Sequence, residues 1–474
     1  MWRVNPTRTP LSLAAAALST QVREVLSPSF VREVLARGVP GYRQRILTVE
    51  VMALALLHLV LAGLPSLADV VRDLKAGSLL GVPRRKVSMS AFYKRLVVMP
   101  HTMFLSLLKH TSVALRARST RTSDLAGLVP FATGIFAIDD TTLDALVRKS
   151  KALKATPEGR FAEATLGGRL GCVLDLVDRT FVSLSYDTAS TSNERNRLLP
   201  LVETLEAGSL VLLDRGYFAF DSLDALSERF VYWLTRFKAG VKFDVLATLV
   251  DAPLYRDRIV HLGSDKGTDR GRWPVRLVEL RIDGEWWQYV TNVWDPRMFP
   301  ADRVWRLYSR RWTIEVAFAA VKRALGLATI HACHTNGVLS QVWATLTIYQ
   351  VLQHLRRDVA DACGWDEEDV SWDLLMRRIG VYADQCPAED LMTWLLAGDP
   401  ESGVRKTGKR IRRMASLPAA MLGNIRREPA PLPLDALGPF VPRQRPSRVL
   451  AYRSEKFTTH VLSVGRSETM IDTR

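Results

Sequence analysis

Apolar residues recur at helical spacing through roughly the first 125 residues, and Gly and Pro punctuate the pattern at "GVPGY" and "GLPS". A wholly helical N-terminal region is predicted. Within it, "VEVMALALLHLVLAGL" (Val49–Leu64) is too short to span a bilayer and holds Glu50 and His58, so it reads as a buried helix. "RRKVSMSAFYKRL" (Arg84–Leu96) sets a basic cluster before Ser88 and Ser90. Either serine can cap a following helix that carries Tyr93, Lys94 and Arg95 and has the look of a recognition helix.

The pattern changes at Gly134. "GIFAID" is a short β-favouring run ending in acid, and "CVLDLVDRTFVSLSYD" reads as two strands around a turn near Asp178–Thr180. A helix, "NERNRLLPLVETLEAG", is ended by Gly208. "SLVLLD" (Ser209–Asp214) is continuously apolar before its acid, hence a strand buried on both faces. "FDSLDALSERF" is helical and "FVYWLTRF" is another buried strand, which together make a mixed α/β sheet. From Asp244 to about Pro300 the rhythm breaks into "YRDRIVHLG", "WPVRLVELRI" and "EWWQYVTNVW", a β-rich insertion. The expected organisation is helical over 1–125, core over 126–243, insertion over 244–300, core again over 301–356, and a helical, basic region over 357–474.

The helix expected over "YSRRWTIEVAFAAVKRALG" (Tyr308–Gly326) is unusual. At about 100° per residue, with Arg311 at zero, Glu315 falls near 40°, Lys322 near 20° and Tyr308 near 60°. Leu307, Ile314, Phe318, Val321 and Leu325 fall at about 280–340°, the core-facing side. One acid and three potential donors thus line up beside the apolar stripe.

Composition narrows the class. With 47% hydrophobic and 24% charged residues among 474, this is a soluble globular chain long enough for several cores. A net charge of +16 points to a polyanionic partner, nucleic acid before a membrane surface. From Glu401 to Arg474 there are 15 Lys and Arg against 6 Asp and Glu, densest in "RKTGKRIRR" (Arg405–Arg413), an arm suited to phosphates. The cysteines Cys172, Cys333, Cys363 and Cys386 form no C-x-x-C pair, which argues against a zinc ribbon or disulfide framework and fits a reducing cytoplasm.

Two strands end in acid: "IFAIDD" offers Asp139 or Asp140, and "LVLLD" offers Asp214. Ligands of open α/β sheets gather at the carboxyl ends of strands. Glu315 is a third acid on a helix arriving from elsewhere in the chain. Each acid alone could merely cap a turn, Asp214 in "LLDRGYF" or Asp140 before "TTLDAL". Together, three converging carboxylates call for a cation, and hard divalent ions take oxygen ligands and act on phosphodiesters.

At these residues the chain resembles the DDE transposases of bacterial insertion sequences, best the family named after insertion sequence four. "AIDDTTLDAL", "VLLDRGYF" and "YSRRWTIEVAFAAVKRALGL" look like its three acidic motifs. The third reads Tyr, two residues, Arg, three residues, Glu, six residues, Lys, and Tyr308, Arg311, Glu315 and Lys322 match without a gap. The resemblance covers roughly Phe131–Leu327 and implies a ribonuclease-H-like core carrying a β-rich insertion between the second Asp and the Glu. It further implies cut-and-paste transposition: Asp139, Asp214 and Glu315 holding two Mg²⁺ (Mn²⁺ as substitute), a nick at a transposon end, a hairpin intermediate and joining to target DNA. Asp139 is favoured over Asp140 because it directly follows the apolar strand, though both fit Asp-x-Thr. Tyr308, Arg311 and Lys322 would hold phosphates near the scissile bond. Trp286 or Trp287, Trp287 first, would stack a flipped base, an interaction worth about 1–3 kcal/mol. Arg236, at the end of its strand, and Lys94 and Arg95, on the recognition-like helix, are expected as further DNA contacts. Implied partners are double-stranded DNA, as terminal inverted repeats and target, and a second copy of the chain pairing the ends, in the bacterial cytoplasm at the nucleoid and with no membrane. The rival expectation is a transposase-derived protein that recognises DNA ends without cutting.

Overall fold

The computed structural model describes residues 45–79, 82–118, 124–142, 169–187, 195–263, 270–327, 330–332, 335–385, 391–397, 400–406, 417–432 and 460–463. Residues 1–44, Cys333, Cys386 and the run 407–413 of the basic arm lie outside them.

Five helices open the described chain: α1 (Val49–Leu61), α2 (Leu67–Ala76), α3 (Met89–Val98), α4 (Thr102–Arg118) and α5 (Asp124–Leu128). Their starts follow capping chemistry. Thr48, Ser66 and Ser88 each accept a backbone N–H of the first turn, so the cap of α3 is Ser88. Gly77 ends α2 at φ +83, a left-handed position that a Cβ would strain.

Strands β1 (Ile135–Thr142), β2 (Arg169–Asp175) and β3 (Phe181–Asp187) form an antiparallel meander. After α6 (Arg195–Val202) comes β4 (Leu210–Leu213), and after α7 (Phe220–Glu228) comes β5 (Tyr232–Arg236); both strands run parallel to β1. The order β3-β2-β1-β4-β5 with its crossover helices is the mixed sheet expected of a ribonuclease-H-like core. α6 is shorter than expected: it stops at Val202, and the chain turns before reaching Gly208.

The insertion is a four-stranded meander of β6 (Phe243–Ala252), β7 (Tyr255–Leu262), β8 (Val275–Ile282) and β9 (Glu285–Thr291). β9 pairs antiparallel with β5, so the insertion extends the core sheet rather than standing apart. A buried ion pair, Arg276–Asp257 (2.7 Å), locks β7 to β8. Arg276 also donates from Nη1 to the Phe299 carbonyl (2.6 Å), which ties the insertion to the segment entering the next helix.

That helix is not one uniform coil. α8 (Ala301–Ser309) tightens into a 3₁₀ turn (Arg310–Trp312), resumes as α9 (Thr313–Ala319) and widens into a π turn (Ala320–Ala324). A single 100° wheel therefore misplaces residues at its two ends, because tighter and wider turns rotate the chain differently. Behind it runs α10 (Thr335–Cys363), whose residues Leu339–Tyr349 are almost all buried. The boundary expected at 356/357 falls inside this helix. α11 (Trp372–Gln385), α12 (Leu391–Ala397), the single turn α13 (Pro400–Gly403) and α14 (Ala419–Ile425) follow, and β10 (His460–Ser463) pairs antiparallel with β3.

Side chains on the two sheet faces feed two cores. Ile135, Ala137, Leu210 and Leu212 join α8, α9, α10 and the N-terminal helices in one cluster. Phe136, Ile138, Val211 and Leu213 join α6 and α7 in the other. The N-terminal helices thus share a continuous core with the sheet. Among the described residues no helix is long and apolar enough to cross a membrane.

Candidate active site

Strand parity places the acids. Successive side chains of a strand alternate between faces, so Asp139 lies on the face of Ile135 and Ala137, and Asp140 on the face of Phe136 and Ile138. β1 and β4 pair in parallel register with Ile138 opposite Leu213, which sets Asp139 beside Asp214 at the end of β4. By the same alternation, Asp214 follows Leu210 and Leu212 onto the α9 face. α9 crosses β1 there with Ile314, Ala317 and Phe318 buried, and this turns Glu315 toward the strand ends.

One side chain shows the convergence. The Arg311 guanidinium lies 3.4 Å from Asp139 Oδ2 through Nη1, 3.9 Å from Asp214 Oδ1 through Nε, and 2.6 Å from Glu315 Oε1 through Nη2. Remote stretches of the chain are brought to a single cation. Burial pushes the Asp139 carboxyl up to about 6; the Asp140 amide and Arg311 pull the other way, and Asp214 and Glu315 add to the rise. Asp214 opens the 3₁₀ turn Arg215–Tyr217 without a side-chain capping bond, so the turn does not account for its carboxylate.

Asp140 is occupied elsewhere. Its carboxylate, fully buried behind the sheet, takes hydrogen bonds from Arg197 (Nε 2.9 Å, and Nη2) and from the Tyr217 hydroxyl (2.6 Å), with Arg169 at 3.2 Å. Arg197 also reaches Asp187 at 3.6 Å. Gly171, paired with Asp140 across β1 and β2, leaves room for this carboxylate: a Cβ there would sit 2.7 Å from Asp140 Oδ1.

The remaining expected residues fall into three places. Tyr308 is buried; its hydroxyl donates to the Leu213 carbonyl (3.3 Å), beside Asp214, and burial pushes that hydroxyl up to about 12. Lys322, in the π turn, donates from Nζ to the Thr142 carbonyl (2.7 Å) at the end of β1. Arg236 covers the Trp287 ring at 4.4 Å, and Trp287 packs edge-on against Trp305 (5.5 Å), so a base could stack on that face only if the guanidinium moved. Trp286 is likewise covered, by Arg256 at 4.5 Å. Lys94 and Arg95 lie on α3, away from the strand ends in sequence; Lys94 is exposed, and Arg95 donates from Nε to the Leu47 carbonyl (3.2 Å).

Three features of the site were not expected from sequence. Arg311 is a hub rather than one member of a line. Trp312, next to it, is 44% exposed, unusual for a tryptophan. Arg310 is tied to Glu368, which with Glu367 is held by Arg179, Arg356 and Arg357. Burial alone would raise the Glu367 carboxyl, but these arginines hold it below its ordinary value. This network anchors the backbone just before Arg311.

Hard carboxylate oxygens around a positive centre are the donor set a divalent ion takes. Yet among the described residues no three Asp, Glu, His or Cys side chains stand close enough to share one ion. The guanidinium fills the space between them. The donor chemistry fits a metal, and the present spacing holds Arg311 instead.

Comparison with known proteins accords with this geometry. Residues 130–351 match the transposase DDE domain family. The chain is 22% identical over 197 residues to the transposase InsG for insertion sequence element IS4 of Escherichia coli, a match covering 39% of this chain and 43% of that protein. It is 26% identical over 195 residues to the "probable transposase for insertion sequence element IS5377" of Geobacillus stearothermophilus, covering 40% and 50%. The chain thus spans half or less of the length of these curated relatives.

Proposed function

We propose that this chain, whose residues 130–351 match the transposase DDE domain family and which is similar to the transposase InsG for insertion sequence element IS4, cuts and rejoins DNA at the ends of a mobile element, with Asp139, Asp214 and Glu315 as its catalytic carboxylates. The observation that carries the reading is the meeting of all three acids at Arg311. These three carboxylates would hold Mg²⁺ or Mn²⁺, which would supply the charge that activates the attacking oxygen and neutralises the phosphodiester. Asp139 and Asp214 hold one side of the site from rigid, adjacent strand ends, and Glu315 closes it from α9. Arg311 and Lys322 bind phosphate oxygens on the same face, the first as a fork and the second as a point charge. Tyr308 braces the end of β4 through the Leu213 carbonyl and so positions Asp214. In the cut-and-paste course, Asp139, Asp214 and Glu315 would hold two such ions at each site. The first nick frees a 3′-hydroxyl, which attacks the opposite strand to leave a hairpin; the hairpin is reopened and joined to target DNA by a dimer bridging both ends.

The test uses a supercoiled plasmid carrying the DNA that flanks the gene on both sides, incubated with the full chain and Mg²⁺. Excision is expected, and Glu315→Gln should abolish it while retaining DNA binding. Binding without any cleavage by the unaltered protein would leave a DNA-recognition factor and refute the enzyme.

A further inference from the structure

Each nitrogen of the Arg311 guanidinium faces a different carboxylate: Nη1 faces Asp139, Nε faces Asp214 and Nη2 faces Glu315. The side chain is only 12% exposed. Resting on the metal-dependent function proposed above, we infer that Arg311 is a resident counter-cation. It occupies the centre of the carboxylate group in the DNA-free protein and excludes divalent metal until a DNA phosphate draws it out.

Three observations support this. First, a divalent ion needs carboxylate oxygens at about 2.0–2.6 Å, which no three acids can supply while a guanidinium stands among them, and none do among the described residues. Second, the planar fork spreads its donors over three nitrogens, each facing its own acid, whereas a lysine gathers its three donors on a single nitrogen. Third, Arg311 sits on the 3₁₀ turn between α8 and α9, and the backbone there is held by its neighbour, Arg310 bonded to Glu368. The Arg311 side chain can therefore swing while the turn stays in place. A phosphodiester arriving at the strand ends presents paired oxygens to which guanidinium binds in bidentate fashion. Once the fork turns to that phosphate, the three acids lose their cation and a metal replaces it. Metal loading and DNA engagement become one coupled event, which keeps a strand-cutting centre unloaded away from its substrate.

Mn²⁺ uptake by the full chain, followed by the electron paramagnetic resonance signal of the free ion, tests this without reading activity. Without DNA, Arg311→Gln should bind Mn²⁺ at least tenfold more tightly than the unaltered protein, and adding Glu315→Gln should remove that gain. A short nicked duplex should tighten Mn²⁺ binding to the unaltered protein and barely change Arg311→Gln. Arg311→Lys, which keeps the charge but not the fork, should fall between, and it serves where the glutamine variant folds poorly. Equal Mn²⁺ affinity for the unaltered protein and both Arg311 variants overturns the inference and leaves the metal-dependent function standing. No uptake by any form, with or without the duplex, overturns both.

Discussion

Asparagine at two neighbouring positions of β1 should have opposite consequences. Asp140 is fully buried between Arg197, itself 2% exposed, and Arg169, with Tyr217 donating to it. Asp140→Asn keeps the shape and removes the charge, leaving a buried guanidinium short of its main partner. Breaking a buried pair on one side costs about 3–5 kcal/mol. Asp187, 3.6 Å from Arg197, retains part of the compensation, so the low end of that range, about 3 kcal/mol, is expected. A unit of 150–250 residues shifts by about 2–4 °C per kcal/mol, and this core is larger, so the melting midpoint should fall by several degrees, up to roughly 6 °C. Asp139→Asn instead removes a charge that burial already disfavours and that Asp214 and Glu315 oppose. In metal-free buffer near neutral pH its midpoint should hold or rise, while plasmid excision disappears. The assay is thermal melting by circular dichroism in EDTA, paired with the plasmid reaction. If Asp140→Asn melts with the unaltered protein, or Asp139→Asn falls as far, the assignment of one aspartate to the site and the other to the scaffold is wrong.

Acidification gives a related signature. The folded-state pKa of Asp139, about 6, lies above its ordinary 3.8, so its favourable contribution is complete below 3.8 and is lost as pH rises through 6. Relative to Asp139→Asn, the metal-free protein should gain stability between about pH 7 and about pH 5, and a flat difference curve would refute the shift. His58, whose pKa burial lowers, acts in the opposite sense but is common to both proteins and cancels. Gly171→Ala would put a methyl 2.7 Å from the Asp140 carboxylate and 3.1 Å from Leu201. A loss of about 1–3 kcal/mol in denaturant unfolding is expected, and an unchanged midpoint would contradict the packing. Asp257→Ala strands the fully buried Arg276, and a loss of about 3–5 kcal/mol should appear in the same measurement; a neutral result would mean the insertion is not held by that pair.

Much of the core was legible because its strands are short apolar runs with clear ends, as "SLVLLD" and "FVYWLTRF" are. The choice between Asp139 and Asp140 was not settled by motif, since both fit Asp-x-Thr. Parity separates the two faces, but choosing between them needs the register of β1 against β4, which is a long-range fact. β6 was missed because "FDVLATLVDA" alternates poorly and carries two register shifts against β7, with Val245 and Leu246 left exposed. α10 hid for the opposite reason: buried on nearly every side, it has no polar face to mark its period. Its contacts with α1, α3 and α4 carry the N-terminal helices into the same core, so a division drawn from composition shifts did not foresee that continuity. The line of Tyr308, Arg311, Glu315 and Lys322 was visible as spacing. What spacing could not show was the 3₁₀ and π turns that interrupt the helix, or the partners themselves: Tyr308 donates to the Leu213 carbonyl and Lys322, in the π turn, to the Thr142 carbonyl.

Anomalous diffraction from crystals of the full chain bound to a nicked duplex in Mn²⁺ reaches the proposed chemistry most directly. Scattering density within about 2.0–2.6 Å of oxygens from Asp139, Asp214 and Glu315, with the Arg311 guanidinium rotated onto a phosphate, is the predicted result. Density bound elsewhere, or none while Arg311 still sits among the three acids with DNA in place, would contradict it.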